Sequence, residues 1–525
     1  MGLFISRHRH LTKIGILIEQ KQRHIAVIGG GPAGLAAAIT AARAGAYVCI
    51  YEKAARLGKP ILKTGNGRCN LSNLNICVDG VGTTNVTESF DNADSDRASA
   101  AGVCGNINDR TSAAGTHNSA GSAKNAFTSY NNPNFVIPTL TSCDTSFIQK
   151  WFENMGLFLR ADSEGRLYPA CNSAAVVRNV LESEVEHLGI EIHCNTEVDF
   201  VEFLDNTEDA RLSKSATQHK IAKTQRNAAK TQYKAIVYSH MLEENEQHSK
   251  QTSQTFDAVV IATGGGSKLL ENCGHNIEPF SPTLCGIACN SKLIKELNNV
   301  RTKCKVRAYH TEKNTAQEPL AQESGEVLFR DYGLSGIVIL NMSRLVQKGD
   351  ILSLDLLPDK SVEDIAKLLV KNAQHLQNIQ ELQSTVCRHK LQNKLTLTDI
   401  MRGMFVPQLS NAILKSAGFS STGLIPKQEQ QLEIFTKIAF TIKNFCFTVA
   451  GNANEKFAQV TRGGASTDKF DCNTMCSKLQ NNLFACGETL DIDAACGGYN
   501  LHWAWASGIV AGKSAAANAE EPLAQ

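Results

Sequence analysis

His24-Ile25-Ala26-Val27-Ile28-Gly29-Gly30-Gly31-Pro32-Ala33-Gly34-Leu35 is the stretch on which the fold turns. A short apolar β run enters three glycines, and an alanine-rich segment, Leu35 to Arg43, continues as a helix. In Gly29-x-Gly31-x-x-Gly34 the first glycine permits a tight turn. The second lets backbone approach a pyrophosphate, and the third lets helix and strand pack closely. A helix start placed there offers free N–H groups and the positive end of its dipole to an anion. A second β run, Tyr47-Val48-Cys49-Ile50-Tyr51, ends in Glu52. That is about twenty residues on, where a carboxylate accepts ribose hydroxyls. Right-handed crossover makes the two strands parallel neighbours. A glycine fingerprint alone also fits plain turn packing, but strand, helix and acid in register favour a dinucleotide site.

Working outward, composition sets bounds. Lys and Arg number 53 against 51 Asp and Glu, so no global basic field exists to hold a nucleic acid or an anionic bilayer. No apolar run reaches the length of a membrane-spanning helix. The 17 cysteines are odd in number and contain no CxxC pair; the closest spacings are Cys285/Cys289 and Cys472/Cys476. Reduced cytoplasmic thiols are expected, with no metal site. Residues 1–23, with Arg7, Arg9, Lys13, Lys21 and Arg23, read as a basic tail.

From 75 to 143 the chain is rich in Asn, Ser, Thr, Ala and Gly, a composition too poor in apolar residues to offset chain entropy, so this insertion is expected to be dispensable. A similar polar stretch, 206–232, separates β-like segments at 191–203 and 233–238. Helical spacing marks 147–159 and 174–188. Residues 284–445 change character: β-like runs at 327–329, 337–340 and 351–356 precede an amphipathic helical part, 361–443. Short β runs return at 445–449 and 483–485, and a helix over 499–517 closes the chain. The expected organisation is an α/β, Rossmann-like domain split into 24–283 and 446–525, with an inserted domain at 284–445 made of a β-barrel part and a helical part.

Further motifs carry chemistry. The strand Phe256 to Ile261 ends in Ala262-Thr263-Gly264-Gly265, a form common in two-dinucleotide-type flavoproteins. Lys63-Thr64-Gly65-Asn66-Gly67-Arg68-Cys69-Asn70 gathers amides, cations and flexible backbone, which suits a loop around a polar heterocycle, although an Asn-Gly turn alone has the same look. Near the end, Leu483-Phe484-Ala485-Cys486-Gly487-Glu488 and Gly497-Gly498-Tyr499-Asn500 place a strand end and a helix start. A helix N-terminus at the N1/C2=O edge of a flavin favours the anionic reduced form.

These stretches together, with GEVLFRDYGLSG and VTRGG, resemble the bacterial family of NAD(P)/FAD-dependent oxidoreductases labelled aminoacetone-oxidase-family FAD-binding enzymes, which includes flavoenzymes reducing unsaturated 3-oxo bile acids. The likeness spans roughly 25–72, 147–192 and 256–515. It implies a split FAD domain with a barrel-plus-helix insert. It implies that Gly29, Gly30, Gly31, Ala33, Gly34, Glu52 and Lys53 serve the ADP half of FAD, with Thr263 and Gly264 nearby. Lys63, Asn66, Gly67, Arg68 and Asn70 then lie near the isoalloxazine or substrate, while Gly487, Glu488, Gly498, Tyr499 and Asn500 bind ribityl and flavin. The implied activity is hydride transfer through flavin N5, with NADH or NADPH as transient reductant and a conjugated enone-type small molecule as substrate. Arg68, Tyr499 and Asn66 are the catalytic candidates. An oxidase of a small amine and a non-catalytic flavin-binding redox or interaction module are the alternatives. This chain departs from the family pattern in two places, a shortened glycine-rich stretch between Ser267 and Gly274 and Ser335-Gly336-Ile337 in place of SGP.

Overall fold

The computed structural model describes residues 22–77, 126–204, 234–242, 251–265, 268–310, 318–387, 394–453, 455 and 458–517. The expected tail lies outside these except for Gln22 and Arg23, as does the polar stretch 206–232.

β1 (His24–Ile28), α1 (Pro32–Arg43) and β2 (Tyr47–Tyr51) form the predicted unit. A parallel five-stranded sheet runs in the order Leu483–Ala485, Ala258–Ile261, β1, β2, Glu191–His193. In it Val27 stands between Val260 and Ile50. Ile25, Ala26, Val27, Val259, Val260 and Ile261 are fully buried. Both faces are covered, which is why these strands read as continuous apolar runs instead of alternating ones. One sheet thus joins segments some 460 residues apart, as a split Rossmann-like domain requires.

The terminal helix, Tyr499–Ala516, lies along α1. Small residues permit it: a Cβ on Gly508 would stand 2.3 Å from the Ala33 carbonyl oxygen, and one on Gly512 2.2 Å from that of Ala37. The alanines of α1 therefore serve helix propensity and close packing at once.

The insert carries its own core. A closed six-stranded antiparallel barrel runs Gly286–Cys289, Gly333–Ser335, Ala321–Arg330, Arg301–Tyr309, Ile351–Asp355, Phe445–Ala453 and back to the first. Val306, Phe329, Leu352, Leu354 and Phe447 fill it, and the helices Val362–Cys387, Pro407–Ser416 and Gln428–Lys443 share that core. Its closing strand continues to Ala453, past residue 445. Among the described residues, no helix is long and apolar enough to cross a membrane.

Three expectations are corrected. Ile337–Met342 is a helix, not a strand, with Val338, Ile339 and Met342 buried; an apolar run this short carries no period to separate the two. The helical segment begun near 147 stops at Glu153, and Leu159–Ala161 is a strand. The insertion at 75–143 is structured at both ends. Ile76 is fully buried, and the helix Pro133–Ser142 is capped by the Asn132 side chain and buries Phe135, Val136, Thr139 and Leu140. Phe135 meets Trp503 of the terminal helix edge-on at 6.1 Å. The apolar positions Phe135, Val136 and Leu140 were diluted by the polar composition around them. Residues 78–125 lie outside the described residues.

Candidate functional site

The glycine turn divides into glycines the fold needs and one it does not. Gly29 has φ +108° and faces the Ala262 carbonyl, 2.4 Å from where a Cβ would sit. A Cβ on Gly34 would lie 1.8 Å from the Gly29 carbonyl oxygen. Gly31 has an ordinary φ of −79°, and a Cβ there meets nothing within 4 Å. It is the N-cap of α1, with no side chain capping the helix and Pro32 in the first turn. The result is a backbone cradle in front of an uncapped helix N-terminus, the shape and polarity a pyrophosphate requires.

Glu52 fixes this cradle. Its carboxylate accepts from the Gly30 N–H at 2.6 Å and from the Ala54 N–H at 2.7 Å. Two lone pairs on each oxygen leave acceptor capacity for ribose hydroxyls. Lys53 points elsewhere, in an exposed ion pair with Glu197 at 2.8 Å. Ala33 is buried beneath Gly487, whose Cβ position lies 2.7 Å from the Ala33 Cβ. The two ends of the chain thus meet at the turn.

The second motif folds as a succession of tight turns, with Gly65 (φ +54°), Asn66 (+56°), Gly67 (+81°) and Cys69 (+59°) all left-handed. Such conformations fit Gly and Asn and store strain at a non-glycine such as Cys69, whose buried side chain holds the loop down. Lys63, Asn66, Gly67 and Arg68 are exposed along its rim. The Arg68 guanidinium lies over the Tyr168 ring, 4.9 Å from its centre, and its Nε donates to the Gly65 carbonyl at 3.3 Å. With its amide oriented so that both ends are satisfied, Asn70 accepts from the Gly498 N–H at 3.0 Å and donates to the Ser72 carbonyl at 3.1 Å. Asn73 donates to the Gly497 carbonyl at 2.9 Å. The loop is therefore bound to the start of the terminal helix. Gly498 is required there, since a Cβ would stand 2.3 Å from the Ser72 carbonyl oxygen.

Beside it lies an acidic group of partly and fully buried carboxylates. Desolvation, helped by nearby Asp493, pushes the partly exposed Glu488 carboxyl up to about 7, against a hydrogen bond from the Thr461 backbone. Burial likewise raises Asp491, which accepts from the Gly463 N–H at 3.1 Å. Asp493 is buried against Arg344, Nε to Oδ2 at 2.7 Å, which ties the insert domain to this turn. Thr263 is exposed, and the Gly264 N–H donates to Thr489 Oγ1 at 3.2 Å. The Gly487 N–H donates to Ser507 Oγ at 2.9 Å.

Tyr499 is buried with its ring edge-on to Tyr130 at 6.2 Å, and its carbonyl accepts from the Tyr130 hydroxyl at 2.9 Å. Asn500 is used by its own loop: it accepts from the Ala494 N–H at 2.8 Å and donates to the Ala494 carbonyl at 2.9 Å. Sequence reasoning did not single out Ser72, Asn73, His502, Asp493 or Arg344. Ser72, His502, Asp493 and Arg344 lie within the spans of the family likeness and Asn73 adjoins one, but no motif marked any of them. Nor was the buried His502 pair evident, with Ser72 Oγ at 2.7 Å and the Cys143 carbonyl at 2.8 Å.

The family model described as "HI0933-like protein Rossmann domain" matches residues 23–93 and 209–514. A 3-dehydro-bile acid delta(4,6)-reductase of Clostridium scindens is 26% identical over 513 residues, covering 94% of this chain and 98% of the relative. A ribosomal RNA dihydrouridine synthase of Haemophilus influenzae is 23% identical over 486 residues, 92% of this chain and 95% of the relative. Among solved structures, the 3-ketosteroid-delta4-(5alpha)-dehydrogenase of Rhodococcus jostii RHA1 is 13% identical, covering 96% of this chain and 99% of that one at a TM-score of 0.39. The chain belongs to the HI0933-like family of FAD-binding Rossmann proteins and is an oxidoreductase.

Proposed function

We propose that this HI0933-like family member takes electrons from NADH or NADPH and reduces a carbon–carbon double bond conjugated to a carbonyl in a small molecule. The observation that carries the reading is the junction of Asn70 with Gly498, which holds the exposed Arg68 rim against the start of the terminal helix, the same helix whose Gly508 packs on Ala33 of the glycine turn. Gly29, Gly31, Gly34 and Glu52 would hold the ADP half of FAD, and the 63–70 loop with Gly487, Glu488 and Gly498 its flavin half. When bound, FAD supplies the hydride donor.

The chain's own residues do the remainder. Arg68 offers a fixed charge and a fork of donors to a substrate carbonyl, where negative charge develops as the conjugated bond is reduced. Tyr499 is the candidate for delivering a proton to the adjacent carbon. No second dinucleotide fingerprint stands in the sequence, so the nicotinamide would dock transiently. The names of two relatives support the reaction type. One is a reductase of unsaturated 3-dehydro bile acids. The other is named for making dihydrouridine, whose base differs from uracil by saturation of a bond conjugated to a carbonyl.

That second relative favours a further reading, uridine within RNA as the substrate, since its match spans 92% of this chain. One experiment separates them. Purified protein is titrated anaerobically with NADH and NADPH, then mixed with a 3-oxo-4-ene steroid, with uridine-containing ribosomal RNA, or with oxygen. Rapid flavin reoxidation by the steroid supports the first reading and by RNA the second. Reoxidation by oxygen alone, with peroxide formed, overturns both in favour of an oxidase.

A further inference from the structure

At one edge of the central sheet, β2 and the edge strand Glu191–His193 pair in parallel with Cys49 opposite Glu191 and Tyr51 opposite His193. The period-two alternation of strands therefore puts Cys49, Glu191 and His193 on one face. Cys49 Sγ lies 3.2 Å from Glu191 Oε2, and His193 Nε2 lies 2.9 Å from Glu191 Oε1. The thiol, the carboxylate and the imidazole nitrogen all lie within 4.8 Å of one another.

We propose that Cys49, Glu191 and His193 form a three-ligand site for a zinc-class divalent cation. Four observations carry it. The donor set is one sulfur, one imidazole nitrogen and one carboxylate oxygen, which selects borderline transition ions over magnesium or calcium, whose ligands are all oxygen. Metal–ligand lengths of about 2.0–2.3 Å around a tetrahedral ion put neighbouring donors about 3.3–3.5 Å apart. The two separations at the carboxylate, 3.2 and 2.9 Å, are already close to that. His193 Nε2 is shielded from solvent yet has no well-formed hydrogen bond in spite of its nearness to Glu191.

The fourth observation is support around the ligands. The Tyr51 ring stacks on His193 at 5.0 Å and fixes its plane, while the Tyr51 hydroxyl donates to Gln254 Oε1 at 2.9 Å. The Tyr47 hydroxyl donates to Glu191 Oε2 at 2.5 Å and orients the carboxylate. Such outer partners are the usual companions of metal ligands. Cys49 is fully buried, but the Glu191 and His193 side chains are 37% and 34% exposed, which leaves an entry path and room for water as fourth ligand. Binding exchanges one proton, the Cys49 thiol's, for one ion; nothing is oxidised. The ion would cross-link β2 to the edge strand beside it, three residues upstream of Glu52.

The test uses the full chain, stripped with a chelator and dialysed, then titrated with zinc chloride in competition with a chromophoric chelator, and examined by X-ray absorption at the zinc edge. Expected are one tightly held zinc per chain with sulfur in its coordination shell, and at least a tenfold loss of affinity in Cys49→Ser and in His193→Gln. Because Cys49 is buried and its variant can misfold, His193→Gln, half-exposed, is the deciding variant, checked by far-UV circular dichroism. No stoichiometric zinc, a shell without sulfur, or undiminished affinity in a folded His193→Gln protein would each overturn the site, the last by placing the ion on other cysteines.

Discussion

Gly508 of the terminal helix rests on the Ala33 carbonyl of α1 so closely that a Cβ would stand 2.3 Å from its oxygen. Only glycine permits that approach. Gly508→Ala must push two helices apart within the cofactor domain, and overpacking of this kind costs about 1–3 kcal/mol. Thermal melting of the variant is expected several degrees below the wild type, with FAD loss following the fold. An unchanged melting temperature would show that the helices slide apart without cost.

Gly31 behaves in the opposite way. Its φ suits any residue and its Cβ direction is open, so Gly31→Val leaves the protein's own packing intact. The valine methyl groups would instead fill the pyrophosphate's approach. The expected outcome is a folded, colourless protein. Gly34→Ala is the contrast, because its Cβ would lie 1.8 Å from the Gly29 carbonyl oxygen and the turn itself must break. Flavin absorbance beside circular dichroism checks both, and FAD content equal to wild type in Gly31→Val would remove the cradle from the cofactor site.

The contrast shows what sequence could tell. The spacing of Gly29, Gly31 and Gly34 announces the turn, because Gly29 and Gly34 answer close backbone approaches in it while Gly31 leaves its mouth open. The apolar runs at 24–28, 47–51, 258–261 and 483–485 announce the sheet, because buried parallel strands leave an unbroken apolar mark. What stayed hidden depends on partners far along the chain. Nothing near Asn70 indicates that its amide meets Gly498, and nothing near Arg344 indicates that it meets Asp493. The helix Pro133–Ser142 was lost to the reverse error, an average over a polar region that erased Phe135, Val136 and Leu140.

His502 gives a pH dependence. It is wholly buried, and desolvation lowers its pKa from 6.5 to about 4 despite the Cys143 carbonyl. It is therefore neutral, its Nε2–H donating to Cys143 and its Nδ1 accepting from Ser72. Between those two values the unfolded chain binds the proton and the folded one does not, so stability is full above 6.5 and is lost as pH falls toward 4. The loss reaches about 3 kcal/mol at most. Urea unfolding at pH 7 and pH 4.5 measures it, and His502→Gln is expected to be less stable at pH 7 but to lose less on acidification. An equal acid loss in both proteins would assign the effect to other groups.

Arg68 and Tyr499 decide whether the rim is chemical or merely structural. The Arg68 guanidinium rests on Tyr168 in an exposed position, a contact worth about 0.5–1 kcal/mol, too little to hold the loop by itself. Cys69, buried, and Asn70, bound to Gly498, do that instead. Arg68→Met should therefore keep its FAD. Tyr499→Phe should too, since the ring's edge-on contact with Tyr130 and the carbonyl that accepts from Tyr130 both survive. If Arg68 steadies developing charge on the substrate, reoxidation by an enone falls at least tenfold, which is about 1.4 kcal/mol of transition-state stabilisation, while reduction by NAD(P)H is spared. If Tyr499 delivers the proton, its loss slows the same half-reaction and diminishes its solvent isotope effect. Stopped flow on each half-reaction, beside FAD occupancy, reads these outcomes apart. Two variants that keep their flavin and run both half-reactions at the wild-type rate would place Arg68 and Tyr499 in the scaffold.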